Sequence, residues 1–586
     1  MRLVPVLPAA LAAAVALATP PPAWADSPVV VEGGDKDMRD AIRDLLPDRE
    51  RPESLFDAER VAEEAAARAL VWLRSEGYYA ATVTPEATEE PPAARVIIEA
   101  GPRFSFADPS LAYAGPAPDP VTDLEARNAL SLVPSGAPAR AGAVLEAEAT
   151  ALAALQDGGY PDAATRPRRV VVDHAASSMT PAFQFDAGAR AILGDVRAEP
   201  NDVFRPGFID ELRNWGEGQT YSPDALALLR RDLSSTGAVS RVSTRLDEPT
   251  ANGVRDVILD IEPARRNAYE LGLSYSTTEG AGVVGQWTRR NFTGRADSLT
   301  TSLTLAELQQ ELSVALLRPH AAGLGHSVTI GALAEREAPA AYTRQGVALF
   351  ANVDASDRLE VGRSYGLRLS ADQYDDLVGS VRDAVVLSGF YNIRRDTTEF
   401  TLDPLDGSVA EVRIEPSVSS GDETLGFVRA TAEGRIYESF GRQDSLTLAA
   451  RIRAGWLEAI SGDADNVPPD RRFYAGGGGS VRGYEYNSIY PLERDLLGLT
   501  PGGQGMLEGS LEVRWRFGAR LGAVAFVDAG SAFDDWADSG DFSLGAGVGL
   551  RYDLGFAPLR FDIAVPLDDE YSSDDYALYI SLGQAF

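Results

Sequence analysis

The chain has 586 residues, with 54 Lys+Arg against 87 Asp+Glu, no Cys and 3 His, which is room for roughly four domains at about 150 residues each, or fewer if a barrel absorbs much of the chain. A net charge of −33 excludes a basic nucleic-acid module, and with Lys36 as the only lysine there is no phosphate loop of the Gly-Lys-Ser/Thr type. Without Cys there is no thiolate or disulfide chemistry, and His174, His320 and His326 lack paired spacing, so neither metal nor other cofactor is expected.

Residues 1–25 open with Arg2, run through the apolar stretch Ala9–Ala18 and end Ala23-Trp24-Ala25. This pattern predicts a cleavable secretory signal, too short in its apolar part to span a bilayer. The exported remainder is then either soluble or enters a membrane as strands, which hydropathy barely registers.

A repeat follows. Gly77, Gly159 and Gly237 recur at about 80-residue spacing, each after an amphipathic helix and before an extended run. The helical faces are Val61, Ala65, Ala69 and Leu73; Val144, Leu152 and Leu155; and Leu226, Leu229 and Leu233, the last helix opening at Ser222-Pro223. An earlier helix is predicted through Met38, Ile42 and Leu45 and through Ile209, Leu212 and Trp215, with a weaker one in the second unit. Closing strands are predicted at Arg95–Glu99, Val170–Val172 and Asp256–Asp260. Each unit reads β-α-α-β-β, two helices on one face of a small sheet, and the boundaries are set at 27–106, 107–184 and 185–266. The first unit is expected to carry a long insertion around Glu89-Glu90-Pro91-Pro92.

From 267 to 586 the period changes to two. Leu299, Thr301, Leu303 and Leu305 alternate with hydroxyl residues; Leu446, Leu448 and Ile452 alternate with Thr447, Ala449 and Arg451; Leu511, Val513 and Trp515 alternate with Glu512, Arg514 and Arg516. The last segment puts Tyr576, Leu578, Ile580, Leu582 and Phe586 on one face, with Gln584 the exception. Alternation alone fits a sandwich or a barrel, but the export signal and the aromatic closing strand favour an outer-membrane barrel of roughly sixteen strands.

The block Arg472–Tyr486, with its Gly-rich run and Val481-Arg482-Gly483-Tyr484, is followed by Glu512, Asp528 and Pro558-Leu559-Arg560. That ordered set resembles the outer-membrane assembly superfamily of BamA, TamA and the two-partner secretion transporters. Three modules, the total length, and Tyr391–Thr398 with Asp403-Pro404 and Gly407 resemble its TamA-like branch. The resemblance implies three periplasmic POTRA domains before a 16-stranded antiparallel barrel in the bacterial outer membrane. It also implies that Val481, Arg482, Gly483 and Tyr484 form the tip of a loop folded into the lumen, with Glu512 and Asp528 receiving the arginine. Parity turns Glu512 inward; Asp528 shares a face with Phe526 and Gly530, so its direction rests on the resemblance. Departures are Ala557 before Pro558, where the family has glycine, and Ala238 where the other repeats have tyrosine.

A guanidinium can bridge two carboxylates as an ammonium cannot. The barrel must close between a first strand near Tyr269, Leu271, Gly272 and Leu273 and a last one from Tyr576 through Ile580 and Gly583 to Phe586. A seam short of hydrogen bonds would open and template an incoming strand. The resemblance implies a non-enzymatic insertase for outer-membrane β-proteins such as autotransporters, partnered by an inner-membrane-anchored TamB-like protein. The alternatives are a passive secretion pore of the two-partner type and a lipid-transport component.

Overall fold

The computed structural model describes residues 29–47, 51–355, 361–376, 381–421, 423–441, 444–518, 520–568, 571–572 and 575–586; the expected export signal at 1–25 lies outside them. Two compact units emerge. One holds the described residues up to Gly194 with Trp215–Ala225 and Glu248–Arg255; the other holds Asp195–Asn214, Leu226–Asp247 and Asp256–Phe586.

In the first sheet the closing strand Pro92–Glu99 is central, parallel to Val29–Gly33 and antiparallel to Thr82–Glu89. Alanines at 62, 65, 66 and 69 on helix Leu55–Ser75 let it approach the sheet closely, and Val61 and Leu73 complete a core with Val96 and Ile98. Each buried aliphatic contributes about 1.5–3 kcal/mol. The repeated glycines end helices. Tyr78 N donates to Leu73 O (2.9 Å) with Gly77 at φ +98°, and Tyr160 N donates to Leu155 O (3.2 Å) with Gly159 at φ +100°. A left-handed residue closes this Schellman turn, and glycine adopts it without a Cβ clash.

Several expectations are corrected. In the first module Glu89 pairs with Pro92, so the Glu90-Pro91 region is the tip of a longer hairpin, not an insertion. In the second, Ser105–Phe106 and Ser110–Tyr113 pair parallel to Ser178–Asp186, so that sheet starts before 107 and ends after 184. Its closing strand is Ser178–Asp186, which buries Met179, Phe183 and Phe185, while Val170–Val172 lie on the exposed strand before it. The weak first helix of that module is the full Pro120–Asn128, whereas the helix expected through Ile209 and Trp215 in the third module is only Phe208–Glu211. The third sheet runs Ile192–Glu199, Val254–Pro263, Val239–Leu246, again with the closing strand central.

Asp119 explains why Pro120–Asn128 forms despite weak periodicity. Its carboxylate accepts from the amides of Val121 (3.2 Å) and Thr122 (3.3 Å), and from the Thr122 hydroxyl (2.8 Å). The hydroxyl bond, ahead of the two amides and against burial, holds this carboxyl below its usual value of 3.8. A depressed pKa means stabilisation that is present above the unfolded value and is lost as pH falls through the folded one. Asp119→Ala is therefore expected to cost the helix about 1 kcal/mol at neutral pH. Hydrogen exchange of its amides checks this: the difference from the parent should narrow as pH falls and the Asp119 carboxyl is protonated, and a difference that is the same at every pH would rule out the capping charge.

Among the described residues, sixteen consecutive antiparallel strands from Asn267–Ser276 to Ala577–Leu582 close a barrel. No described helix is long and apolar enough to cross a membrane. Outward positions such as Leu271, Leu367, Leu511 and Trp515 are exposed apolar side chains, while Arg344, Arg451, Glu512 and Arg514 point inward and are buried. Within the second unit, Arg205 N donates to Gly294 O (2.7 Å) and Asn291 Nδ2 to Val203 O (2.7 Å), so a strand-connecting turn of the barrel is tied to the third module.

Candidate functional site

The longest connection, residues 462–504, lies between strands Leu446–Ser461 and Gly505–Phe517 and carries the Gly-rich block. Its tip is buried: Val481, Arg482 and Tyr484 are each at most 1% exposed. Arg482 spreads its fork over three wall strands. Nε and Nη2 take Asp528 Oδ2 and Oδ1 at 2.6 and 2.8 Å, and Nη1 takes Glu512 Oε1 at 2.7 Å and Asp562 Oδ2 at 3.4 Å. Its backbone amide donates to Asp528 as well (3.2 Å).

Asp528 does face inward, and so does its companion Phe526, whose ring lies 3.4 Å from the Arg482 guanidinium carbon. The aromatic residue that made the alternation ambiguous is thus a cation–π floor for the arginine. Around this centre Arg514 Nε pairs with Glu512 (2.8 Å), and Arg551 and Arg560 pair with Asp562. Four guanidiniums meet three carboxylates.

Glycines make the approach possible. A Cβ at Gly483 would stand 2.8 Å from Pro566 N, one at Gly545 2.0 Å from Arg482 O, and one at Gly530 2.4 Å from Val481 Cγ2. Gly483 N donates to the Tyr579 hydroxyl (3.0 Å), and the Tyr484 hydroxyl donates to Asp568 (2.7 Å) with Leu544 O 3.0 Å away. The loop tip is pinned by side chains and by backbone fit together. Asp562, Phe526 and the wall glycines were missed in the sequence; Gly545-Ala546-Gly547-Val548-Gly549 was the available signal, small residues on one strand face where something must pass close.

The seam differs from every neighbouring pair it joins. The first strand, Asn267–Ser276, is in register with its successor from Asn267↔Arg289 to Ser276↔Gly280, but meets the last strand only at Tyr275↔Ile580 and Ser276↔Tyr579. One further backbone bond, Thr277 N to Leu578 O (3.0 Å), lies beyond it. Tyr269, Leu271, Gly272 and Leu273 lie on the part of the first strand that has no partner in the last.

Three expected seam residues are placed elsewhere. Tyr576 precedes the last strand, which ends at Leu582. Gly583 adopts φ +87° and turns the chain off the wall, donating to Pro558 O (2.8 Å). Phe586 is 8% exposed and sits inside, its ring 6.4 Å from that of Tyr437 and between the guanidiniums of Arg451 (5.1 Å) and Arg514 (5.4 Å). Period-two reading carried Phe586 onto the lipid face because parity does not register a break at Gly583. The connection that follows the segment Tyr391–Thr398 supplies the other half of this cradle: Leu402 O accepts from Gln584 N (3.0 Å), and Asp403 Oδ1 from Gln584 Nε2 (2.9 Å).

The family model described as the Omp85 superfamily domain matches residues 291–586. The outer membrane protein assembly factor BamA of Nitratidesulfovibrio vulgaris is 25% identical over 415 residues, covering 68% of this chain and 52% of that protein, so the chain spans about half the length of this curated relative. The crystal structure of BamA from Haemophilus ducreyi lacking POTRA domains 1–3 superposes with a TM-score of 0.66 at 18% identity, covering 82% of this chain and 100% of that one. That likeness is one of fold.

Proposed function

The chain belongs to the Omp85 superfamily, and from that membership we propose that it is a non-enzymatic insertase that helps β-barrel proteins fold into the outer membrane. It is a bacterial outer-membrane barrel with POTRA-like domains in the periplasm. The observation that supports the activity most is the seam. Two registered pairs close a barrel whose other junctions run much longer, so the first strand keeps an edge of unpaired amides and carbonyls facing a bilayer. Such an edge is costly in lipid, and an incoming strand can satisfy it by β-augmentation. Folding and burial of that client would supply the free energy.

Within the superfamily we place the chain with the TamA-like members, on its three modules and on the Tyr391–Thr398 segment. Autotransporters are then the clients and a TamB-like inner-membrane-anchored protein the partner, reached through the periplasmic modules. In this reading Arg482 holds the loop in the lumen.

Sealing the seam tests the proposal. The chain has no cysteine, so Tyr275→Cys with Ile580→Cys places a unique thiol pair across a registered position. Oxidation is expected to lower autotransporter display by about tenfold in a cell lacking the native copy, a loss of about 1.4 kcal/mol, and reduction should restore it. A passive pore would keep working when sealed, and full activity of the oxidised form would overturn the insertase reading.

A further inference from the structure

The loop that carries Arg482 has a second footing, on the far side of the barrel. Arg482 grips the twelfth, thirteenth and fifteenth barrel strands through Glu512, Asp528 and Asp562. Nearer the start of the same loop, Asp470 has a side chain only 5% exposed. Its Oδ1 accepts from the Tyr374 hydroxyl at 2.7 Å, and its Oδ2 lies 3.5 Å from Arg344 Nε and 3.1 Å from Arg471 Nε. Arg344 and Tyr374 stand on the sixth and seventh strands, half a ring from the strands that hold Arg482.

This footing is built like the first. Arg344 is itself held by Asp372 (2.9 Å) and Glu335 (2.6 Å), and Arg471 reaches Glu415 on the ninth strand at 3.4 Å. Tyr474 adds an uncharged contact, donating to Pro501 O (2.8 Å) with Pro469 O 3.1 Å away, and packing on Tyr342 and Tyr490. Buried charges of this kind are costly unless partnered, so removing one partner is felt strongly.

We propose that Asp470 is a second lock residue and that the loop is a strut pinned to opposite walls, so that either lock alone keeps it in the lumen. The wall that holds Arg482 includes the strands leading to the seam; the wall that holds Asp470 does not. When the seam-side wall moves, the Arg482 lock releases and the loop pivots on Asp470 without leaving the lumen. The bearing of this device on assembly rests on the function proposed above.

A single reporter thiol reads the loop directly. Gly479 is exposed in the Gly-rich run just before the buried tip, and a Cβ there meets nothing within 4 Å, so Gly479→Cys in the otherwise cysteine-free full chain can be labelled with a membrane-impermeant maleimide in proteoliposomes. Asp470→Asn is expected to speed labelling by about threefold, and Asp470→Asn with Arg482→Ala to exceed the product of the two single effects by about tenfold, the coupling expected of groups that share one mobile element. Asp470→Glu should return the rate most of the way. Folding is checked by heat-modifiable migration, and if Asp470→Asn does not fold, Tyr374→Phe carries the test, because it removes one hydrogen bond and no charge. Rates that simply multiply, or an Asp470 or Tyr374 change that is silent in both backgrounds, would overturn the second lock. Either result would leave the seam-sealing experiment, and the assembly reading it tests, untouched.

Discussion

Arg482→Ala is expected to leave a folded, inserted barrel whose loop is loose and, on the function proposed above, whose assembly activity falls by roughly a hundredfold, the scale set by about 3 kcal/mol of lost pairing. The three carboxylates it touches do not suffer equally. Glu512 keeps Arg514, and Asp562 keeps Arg551 and Arg560. Asp528, by contrast, receives both its side-chain fork and its backbone bond from Arg482, and is itself fully buried. The stranded charge is therefore Asp528, and removing a partner from such a pair costs about 3–5 kcal/mol, less where lumenal water reaches it.

This asymmetry makes the expectation specific. Adding Asp528→Asn to Arg482→Ala should recover stability, because it removes the orphaned charge, but should not recover activity, because the loop tip remains unpinned from the seam-side wall. Arg482→Lys should recover little of either: a single ammonium cannot take both oxygens of Asp528 while reaching Glu512. Guanidinium unfolding of the reconstituted barrel and surface display of an autotransporter measure the two effects separately. Display at the parental level from Arg482→Ala, in a cell lacking the native copy, would remove the loop lock from the mechanism.

How much of this was legible depended on whether a residue's role is local. Glu512 and Arg514 could be turned inward from Leu511, Val513 and Trp515, because side-chain direction in a strand follows position. Gly77 and Gly159 marked helix ends because the turn that ends a helix is written in adjacent residues. Asp562 and Asp470 were not legible, since each draws its meaning from strands or loops that only barrel closure brings near. In the sequence Asp470 is one acid in Pro468-Pro469-Asp470-Arg471-Arg472, indistinguishable from a solvated turn. Phe526, an apolar residue on the same strand face as Asp528, obscures that face's direction in the sequence, and is part of the arginine's site. The module edges shifted for a related reason: Ser105–Phe106 is too short to show a period, and its sheet is chosen by Ser178–Met179, far along the chain.

The one polar residue that broke the closing strand's alternation leads to the second large effect. Continuing the Tyr275↔Ile580 register would set Gly583 against Gly272 and Phe586 against Tyr269, returning Phe586 to the apolar face where period-two reading put it. In that zipped arrangement Gln584 would point its amide toward lipid. In the lumenal arrangement the amide is satisfied twice, accepting from Arg551 Nε (2.8 Å) and donating to Asp403 (2.9 Å), while Arg514 Nη2 donates to the backbone oxygen of Phe586 (3.0 Å). Gln584 and Arg514 thus favour the short seam over the long one. Bonds to charged partners are each worth about 1.5–3 kcal/mol, so Gln584→Leu with Arg514→Ala should shift the balance toward the zipped seam by at least about tenfold. Cysteines at Glu270 and Ala585 face each other only in the zipped register, and their oxidation should be slow in the parental background and at least about tenfold faster in the double variant. The Tyr275→Cys/Ile580→Cys pair, already in register, should oxidise at the same rate in both. If the Glu270→Cys/Ala585→Cys rate does not change, the cradle does not set the seam. If it rises while autotransporter display falls, the segment Gly583–Phe586 keeps the first strand's edge free for a client by holding the last strand's end away from it.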